Sequence, residues 1–401
     1  MNVPAKTRSE DAFLTSVAGF DNFGTPTRIF EEDGLTYFVN EFWTAKQRQG
    51  GRIHEISYRA CFKAELPAFF IDRLTRPGDT VHDPFMGRGT TPIQAAMMGR
   101  RALGTDVNPL SVMLARPRLR PVGMSSIVAR LDEIAATGSV GAPDPLDDDL
   151  RAFFHPRTLA EIKGLQACLG LGEPLDSVDD WIRMIALNRL TGHSPGFFSV
   201  YTMPPNQAVS AKAQHRINAR REQTPPERDI FALIARKSKR LLARHLPDAA
   251  DAKLWTAPAE ATPHISDASV DLVVTSPPFL DIVDYAQDNW LRCWFAGIDP
   301  GRVPIAIHRS VSDWTSFTAR VFAELARVVR PGGHVAFEVG EVRKGEIMLE
   351  RAVRDAIAGL PFEILGVLIN AQDFTKTSNC WGVANNAAGV NTNRIVLARR
   401  C

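Results

Sequence analysis

The stretch "TVHDPFMGRGTTPIQAAMMGRRALGTDV", residues 80–107, decides the fold class. TVHDPF predicts a short strand, GRGTT a tight loop, and PIQAAMMGR a helix with Pro92 in its first turn. RALGTDV then predicts a second strand that ends at the acid Asp106. The succession of strand, glycine loop, helix, strand and acid is half of a doubly wound α/β unit.

The loop after the first strand reads DPFMGRGTT, Asp83 to Thr91. Gly87 and Gly89 allow a sharp turn and a close ligand approach, although an ordinary strand-to-helix turn would use the same glycines. Asp106 follows about 20 residues later, where such folds bind ribose hydroxyls, and the pair predicts an adenosine-containing cofactor. The loop lacks both the third glycine of a dinucleotide fingerprint and the G-K-[ST] of a P-loop, which disfavours NAD and ATP.

A second informative stretch, "VDLVVTSPPF" (residues 270–279), predicts a core strand that stops at two prolines. The simpler interpretation is a rigid stop. The alternative is a platform on which a planar base lies against Phe279 while its amino group donates to Ser276 Oγ and the Pro277 carbonyl. Those acceptors would direct the nitrogen lone pair at an electrophilic methyl group, and positioning would supply much of the rate.

The α/β rhythm is interrupted once. We expect an irregular N-terminal segment, a first half of the α/β domain, a mostly helical insertion with loops rich in Pro, Ser and Asn, and a second half. These four regions span residues 1–50, 51–116, 117–250 and 251–401.

Several further elements are predicted in the two halves. ELPAFFIDRL predicts a helix before the glycine loop, and DWTSFTARVFAELARVVRPGG predicts a helix that ends at Pro-Gly-Gly. HVAFEVGEV predicts the strand that follows, while FEILGVLI and TNRIVLARR predict two strands that pair near the sheet edge.

The chain has 401 residues, is 45% hydrophobic and carries a net charge of only +2, so any nucleic-acid surface must be a local basic patch. Lys212 to Arg244 contains ten Lys or Arg and three acids. A solvated helix face would account for this stretch. Alternatively, four of its cations could contact phosphates, namely Lys212, Arg216, Arg220 and Arg221.

The composition also limits the cellular compartment in which the protein is expected and the metal sites that it could form. The five cysteines form no C-x-x-C pair, which argues against a disulfide framework and a zinc site and fits a reducing cytoplasm. The N-terminus has no apolar signal segment, and no window approaches ~18 unbroken apolar residues, so a cytoplasmic protein without a membrane span is expected. No His, Cys and Asp cluster has metal-ligand spacing, so no catalytic metal is expected. His54 and His193 are expected to be structural, and Trp290 and Trp294 to belong to the core.

Taken together, the motifs resemble those of S-adenosylmethionine-dependent DNA amino-methyltransferases, which methylate exocyclic nitrogens of cytosine or adenine. Three blocks carry the resemblance: "CFKAELPAFFIDRLTRPGDTVHDPFMGRGTT", "RRALGTDVNPLSVMLA" and "DASVDLVVTSPPF". They match the family's cofactor-clasping segment with its F-x-G-x-G loop, its ribose-binding acid, and its (S/N/D)-P-P-(Y/F/W) tetrad.

The resemblance implies a doubly wound, Rossmann-like methyltransferase sheet with a mostly helical inserted target-recognition region. It implies S-adenosyl-L-methionine as cofactor and double-stranded DNA as partner, and it leaves open a cognate restriction nuclease and the oligomeric state. The implied cofactor-binding residues are Asp83, Phe85, Gly87, Gly89, Thr90, Asp106 and Asn108. The implied catalytic residues are Ser276, Pro277, Pro278 and Phe279.

The first letter of the tetrad, Ser276, favours cytosine N4 as the methylated atom, since adenine-N6 members of the family tend to carry Asp or Asn. Adenine N6 methylation, an RNA amino-methyltransferase, a non-catalytic nucleic-acid-binding regulator and a small-molecule amine methyltransferase are the alternatives.

The chain departs from the family pattern in two places. Ala257-Pro258 stands where the family often has Gly-Asp to contact the cofactor's adenine, with Glu260 as the candidate substitute. The insertion precedes the third predicted strand rather than following it, which puts a subgroup assignment in doubt.

Overall fold

In the computed structural model of the chain, a central sheet carries helices on both faces. The structure describes residues 7–21, 24–43, 51–59, 61–138, 145–169, 175–203, 208–243, 249, 251–280, 285–342, 347–371 and 393–401. Two polar runs lie almost wholly outside these residues: AKQRQGGR (residues 45–52) and the Asn- and Gly-rich NCWGVANNAAGVNTNR (residues 379–394).

The bounds of the elements are as follows. The strands are β1 (Arg28–Glu32), β2 (Leu35–Asn40), β3 (Thr80–Asp83), β4 (Arg101–Asp106), β5 (Lys253–Thr256), β6 (Val270–Thr275), β7 (Val329–Val339), β8 (Glu341–Val342), β9 (Ile347–Met348), β10 (Phe362–Asn370) and β11 (Asn393–Arg400). The α-helices are α1 (Thr7–Ala18), α2 (Glu65–Leu74), α3 (Thr90–Met97), α4 (Pro109–Leu119), α5 (Met124–Ala136), α6 (Asp147–Leu150), α7 (Pro156–Leu169), α8 (Ser177–Arg189), α9 (Ala211–Arg220), α10 (Ile230–Leu241), α11 (Tyr285–Ala296), α12 (Val311–Val328) and α13 (Leu349–Ile357). Two 3₁₀ turns cover Arg52–His54 and Pro300–Arg302.

The sheet order is β1-β2-β10-β11-β7-β6-β3-β4-β5. From β3 the chain moves outward through β4 to β5 and then returns to β6 on the other side of β3, with all of these pairs parallel. β7 extends the parallel set, and β11 lies antiparallel between β7 and β10. The predicted doubly wound α/β class is therefore confirmed. Its direction reverses between β3 and β6, and ligands bind at the carboxyl ends of the strands at such a switch point.

The helices around the switch point follow local sequence signals. α2 coincides with the predicted ELPAFFIDRL helix. α3 begins directly after Gly89, whose φ of 80° lies in the left-handed region that glycine adopts without strain. α12 is preceded by its N-cap Ser310, whose side chain accepts a hydrogen bond from the Asp313 amide. α12 ends at Val328, earlier than the predicted Pro-Gly-Gly stop, because Val329 already pairs with Val270 as the start of β7.

The prediction that residues 1–50 are irregular is wrong. They contain α1 and the antiparallel hairpin of β1 and β2, and β2 pairs in parallel with β10. Asp33-Gly34, both with positive φ, form the hairpin turn, and Asp-Gly between alternating residues is a recognised hairpin signal. As a result β10 and β11, predicted near the edge, lie inside the sheet, and β1 forms that edge.

The segment 117–250 is mostly helical in its described parts, as predicted. Its helices do not build a separate core. Buried side chains of α5, α7, α8 and α10 join those of α2 to α4 and one face of the sheet in a single cluster, which includes Trp181, Ile234 and Leu272. The opposite face, with Val273 and Phe337, packs against α12 and α13 in a second cluster. The segment is thus an integral layer of the fold. No helix in the described part of the chain is long and apolar enough to cross a membrane.

Candidate functional site

A cavity of about 190 Å³ opens at the switch point, beyond the ends of β3, β4 and β6. Eight of the eleven residues implied for cofactor binding and catalysis line it: Asp83, Phe85, Gly87, Thr90, Asp106, Asn108, Ser276 and Pro278. The two neighbouring blocks of the cofactor half and the much later Ser-Pro-Pro-Phe block therefore meet at one site.

Gly89, Pro277 and Phe279 are not among the lining residues. A Cβ atom at Gly89 would lie 2.5 Å from the Cβ of Ala115, so glycine at this position is needed for close packing against α4. Pro277 is buried, and Phe279 is half-buried with its side chain against the core on the α12 side. Gly89 thus has a packing role in the structure, and its predicted contact with the cofactor stays a prediction.

Asp83 at the end of β3 is 1% exposed. Its Oδ1 accepts hydrogen bonds from Thr275 Oγ1 at 2.6 Å and from the Phe85 amide at 3.1 Å. Its Oδ2 has no hydrogen-bond partner within the described residues. Burial raises the pKa of this carboxyl to about 7, because the charged form loses hydration. An unpartnered carboxylate oxygen beside a cavity fits a ligand ammonium group.

Asp106 at the end of β4 fixes the glycine loop. Its Oδ2 accepts from the Gly87 amide at 2.9 Å and its Oδ1 from the Asn108 amide at 2.8 Å. Burial raises the pKa of the Asp106 carboxyl, and these two amides partly offset the shift. Each carboxylate oxygen has a second lone pair, so Asp106 can still accept from ligand hydroxyls. Asp106 therefore holds the glycine loop, and its predicted binding of ribose hydroxyls stays a prediction.

A buried carboxylate lies directly behind Ser276. Glu338 is on β7, next to β6, and is 6% exposed. The Ser276 side chain lies close enough to Glu338 to lower the pKa of its carboxyl and so offset part of the effect of burial, and Glu338 Oε1 accepts a hydrogen bond from Asn393 Nδ2. Burial raises the pKa of Glu338 to about 7. Sequence reasoning missed Glu338, although an acid inside the apolar run HVAFEVG was the available signal.

The turn after β6 is held by α12. The fully buried Trp314 donates its indole N–H to the Pro278 carbonyl at 2.9 Å. Among the described residues no donor meets the Pro277 carbonyl, which keeps its acceptor capacity. In this turn the Pro278 carbonyl is therefore hydrogen-bonded to Trp314, and the Pro277 carbonyl is available to a ligand.

Arg88, between the two loop glycines, fastens the segment that leads into α2. Its Nη1 donates to the Ile56 carbonyl at 2.8 Å and its Nη2 to the Phe62 carbonyl at 3.0 Å. Tyr58, Arg59, Cys61 and Phe62 of this segment line the cavity. Arg88 therefore holds one wall of the cavity against the glycine loop, a role that sequence reasoning did not assign.

The turn after β5 also reaches the cavity, since Pro258, Ala259 and Glu260 line it. Glu260 is thus placed at the site. Its substitution for the family's adenine-contacting acid stays a prediction.

The four predicted DNA-contacting cations are exposed and do not line the cavity. Lys212, Arg216 and Arg220 recur every four residues along α9, which puts them on one face of the helix. The Arg221 guanidinium lies 3.8 Å from the centre of the Tyr201 ring. Within the described residues no carboxylate lies within 4.0 Å of the three α9 cations.

The side chains predicted to be structural do pack into the fold. His54 is buried with its Nε2 3.2 Å from Gln94 Oε1. Trp290 and Trp294 are half-buried against the first core cluster. Among the described residues, no group of three or more His, Cys, Asp or Glu side chains is arranged to hold a metal ion.

Comparison with known proteins points to DNA methyltransferases. Residues 25–116 match the N6_N4_Mtase family model, described as DNA methylase. The chain is 24% identical over 289 residues to the type II methyltransferase M.BsoBI of Geobacillus stearothermophilus, which covers 62% of this chain and 53% of that protein. It is 39% identical over 59 residues to M2.DpnII of Streptococcus pneumoniae, covering 14% and 22%. The chain thus spans about half the length of M.BsoBI.

Likeness to solved structures is distant. TrmN from Thermus thermophilus aligns with a TM-score of 0.34 at 11% identity, covering 86% of this chain and 50% of that one. A geranyl diphosphate methyltransferase in complex with SAM aligns with a TM-score of 0.33 at 11% identity, covering 84% and 85%. The informative similarity is in sequence: residues 25–116 resemble the DNA methylase family model, and a larger part of the chain resembles a type II methyltransferase.

Proposed function

We propose that the chain transfers a methyl group from S-adenosylmethionine to the exocyclic amino nitrogen of a DNA base, with cytosine N4 favoured. One observation supports this proposal most. The first residue of the Ser-Pro-Pro-Phe turn lines the cavity and has a buried carboxylate, Glu338, behind its hydroxyl. Ser276 Oγ can accept a hydrogen bond from the amino group of the base, and Glu338 behind it can accept a proton from the Ser276 hydroxyl. This arrangement suits a reaction in which the nitrogen gains a methyl group and loses a proton.

The residues around the cavity fit the cofactor. Asp83 Oδ2 would accept from the cofactor's ammonium group, and Asp106 would accept from its ribose hydroxyls. Gly87, with φ of 48°, lets the backbone approach closely. When bound, S-adenosylmethionine supplies an electrophilic methyl group, and its sulfur keeps the electron pair of the broken C–S bond.

The chain's own residues would orient the base and remove its proton. Ser276 Oγ and the Pro277 carbonyl accept from the amino group and direct its lone pair at the methyl. As the N–C bond forms, the nitrogen sheds one proton to Ser276 Oγ, and the Ser276 hydroxyl proton passes to Glu338. A carboxyl whose pKa is about 7 suits this transfer near neutral pH.

The choice of base rests on Ser276, since the resemblance links serine at this position to cytosine. Hydrogen-bonding chemistry alone admits adenine N6 as well, because a hydroxyl accepts from either amino group. Adenine N6 is therefore the second candidate.

Double-stranded DNA is the proposed partner. A stacked and paired base could not enter a cavity lined by Ser276 and Pro278, so the target must leave the duplex. The cationic face of α9 would contact backbone phosphates, because its three cations are exposed and equally spaced.

Incubation with labelled S-adenosylmethionine and mixed genomic DNA, followed by digestion to nucleosides, tests the proposal. N4-methylcytosine is the expected product. N6-methyladenine would keep the mechanism and change the base. No transfer to DNA by a preparation that still binds the cofactor would refute the DNA substrate and turn the search to RNA and small amines. Ser276→Ala, which should bind cofactor normally but transfer slowly, serves as the matched control.

A further inference from the structure

One exposed apolar side chain stands at the rim of the cavity. The segment 303–309 joins the 3₁₀ turn Pro300–Arg302 to α12 without regular structure. Pro304, Ile305 and Ala306 of this segment line the cavity. The next residue, Ile307, is 61% exposed, the largest exposed fraction of any large apolar side chain in the described part of the chain.

The segment is anchored on both sides of Ile307. The His308 ring lies 4.8 Å from the ring of Phe317, a buried residue of α12 whose ring is in turn 5.9 Å from that of Phe85 in the glycine loop. Ser310 then caps α12. Because Ala306 lines the cavity and the His308 ring packs against Phe317, both neighbours of Ile307 are anchored while Ile307 itself stays exposed.

Single exposed apolar residues are ordinary on protein surfaces, so exposure alone would mean little. The surroundings of Ile307 add to it. Arg302 and Arg309 flank the segment and are exposed, and Arg302 is ion-paired with the exposed Asp299 at 3.3 Å, so the rim carries cationic side chains on either side of the apolar one. An apolar tip between cations suits a groove of stacked bases between two phosphate strands.

We propose that Ile307 enters the DNA duplex and occupies the space left by the flipped target base. This inference rests on the proposed DNA-methyltransferase function. A base that leaves the stack exposes the faces of its neighbours to water, and an apolar side chain that covers those faces stabilises the open duplex. Ile307 is next in sequence to the cavity-lining Ala306. It therefore lies beside the opening through which the flipped base would enter, close to the gap that the base leaves in the duplex.

Ile307→Ala tests the role, with Ile29→Ala as the matched control. Ile29 is also an exposed isoleucine, 47% exposed, but it lies on β1 at the far edge of the sheet. The substrates are duplex oligonucleotides that carry the site mapped on genomic DNA modified by the wild-type protein. In one duplex the target base is paired, and in the other it lies opposite an abasic position.

Ile307→Ala should lower kcat/KM on the paired duplex about tenfold and on the abasic duplex by less than about twofold, since an unpaired base leaves the stack more easily. Affinity for S-adenosylmethionine should be unchanged, and Ile29→Ala should match the wild type on both duplexes. Equal activity of Ile307→Ala and wild type on the paired duplex would overturn the inference. An equal loss of kcat/KM on both duplexes would also overturn it, because Ile307 would then contribute to DNA binding without a specific role in opening the base pair. If the wild type binds cofactor but modifies no genomic DNA, so that no site can be mapped, the proposed function itself fails.

Discussion

Thr275 at the end of β6 donates a hydrogen bond of 2.6 Å to Asp83 at the end of β3, across 192 positions of sequence. The hydroxyl immediately precedes the Ser-Pro-Pro-Phe turn, and the carboxylate begins the glycine loop. The bond therefore fastens the turn that would hold the base to the loop that would hold the cofactor. Nothing in the sequence around Thr275 or Asp83 predicts this hydrogen bond.

Asp83 should make cofactor binding depend on pH. Without ligand its pKa is about 7, so the carboxyl is largely neutral below that pH. A cationic ammonium group favours the carboxylate, and binding at lower pH must release a proton. Affinity for S-adenosylmethionine should therefore be highest above pH 7 and fall by up to about tenfold per pH unit below it. Calorimetry at pH 6 and pH 8, in buffers of different ionisation enthalpy, measures both the affinity and the proton release.

Asp83→Asn is the control for that dependence. It keeps the acceptor for the Thr275 hydroxyl but cannot carry a charge, so binding should be weaker and nearly independent of pH. Wild-type affinity that does not change between pH 6 and pH 8 would contradict the assignment of the ammonium group to Asp83.

Glu338→Gln should slow methyl transfer without weakening cofactor binding. General-base contributions are about 10²-fold or more, so the rate at saturating cofactor should fall by about that factor. The wild-type rate should rise with pH through about 7, as Glu338 becomes a carboxylate able to accept the proton from Ser276, and the variant should lose this rise. Saturating cofactor keeps Asp83 ionised, so single-turnover rates between pH 5.5 and 8.5 report Glu338.

Ser276→Ala combined with Glu338→Gln distinguishes a relay from two independent roles. If Glu338 acts through the Ser276 hydroxyl, the double variant should be about as slow as the slower single variant. Multiplicative losses would mean that Glu338 acts on the base by another route.

Arg88→Lys should weaken cofactor binding more than it slows catalysis. Lysine cannot span the Ile56 and Phe62 carbonyls as the guanidinium does, so the cavity wall that carries Tyr58 and Phe62 should loosen. We expect the Kd for S-adenosylmethionine to rise about tenfold, the equivalent of roughly one lost buried hydrogen bond. The transfer rate at saturating cofactor should stay within about threefold of wild type.

Arg101→Lys provides the comparison, because Arg101 also donates to a backbone carbonyl, that of Gly78, but at the opposite end of β4. It should leave the Kd unchanged. A parallel loss of Kd and melting temperature in Arg88→Lys would assign Arg88 to general stability instead.

The cofactor half of the site could be predicted from sequence because its signals are local. The glycine loop, the acid after the next strand and the helix between them are consecutive, and the structure brings Asp83, Gly87 and Asp106 to one cavity. Gly89 also has a requirement that is not local, because a Cβ atom there would collide with Ala115 on α4. A tertiary contact of that kind leaves no local mark.

The groups that fix the tetrad could not be assigned in the same way. Glu338 reaches Ser276 only because β7 pairs with β6, and Trp314 reaches Pro278 only because α12 covers the turn. The sequence did contain both signals: an acid in an apolar strand and a tryptophan on an apolar helix face. Their partners, however, depend on which strands pair and on where α12 packs. The N-terminal hairpin was missed for another reason. β1 is largely exposed, so it lacks the apolar alternation of a half-buried strand.

The cationic face of α9 should set the salt dependence of DNA binding. Each phosphate contact contributes about 0.9 to the slope of log K against log salt concentration. Replacing Lys212, Arg216 and Arg220 together by Gln should therefore reduce the slope by up to about 2.7 and weaken binding to specific and non-specific duplexes alike. Arg354→Gln, which removes a half-buried cation from α13, should leave the slope unchanged. Fluorescence anisotropy with one labelled duplex across a salt series measures these slopes. An unaltered slope in the triple variant would show that α9 is a solvated helix face, and the phosphates must then be met elsewhere.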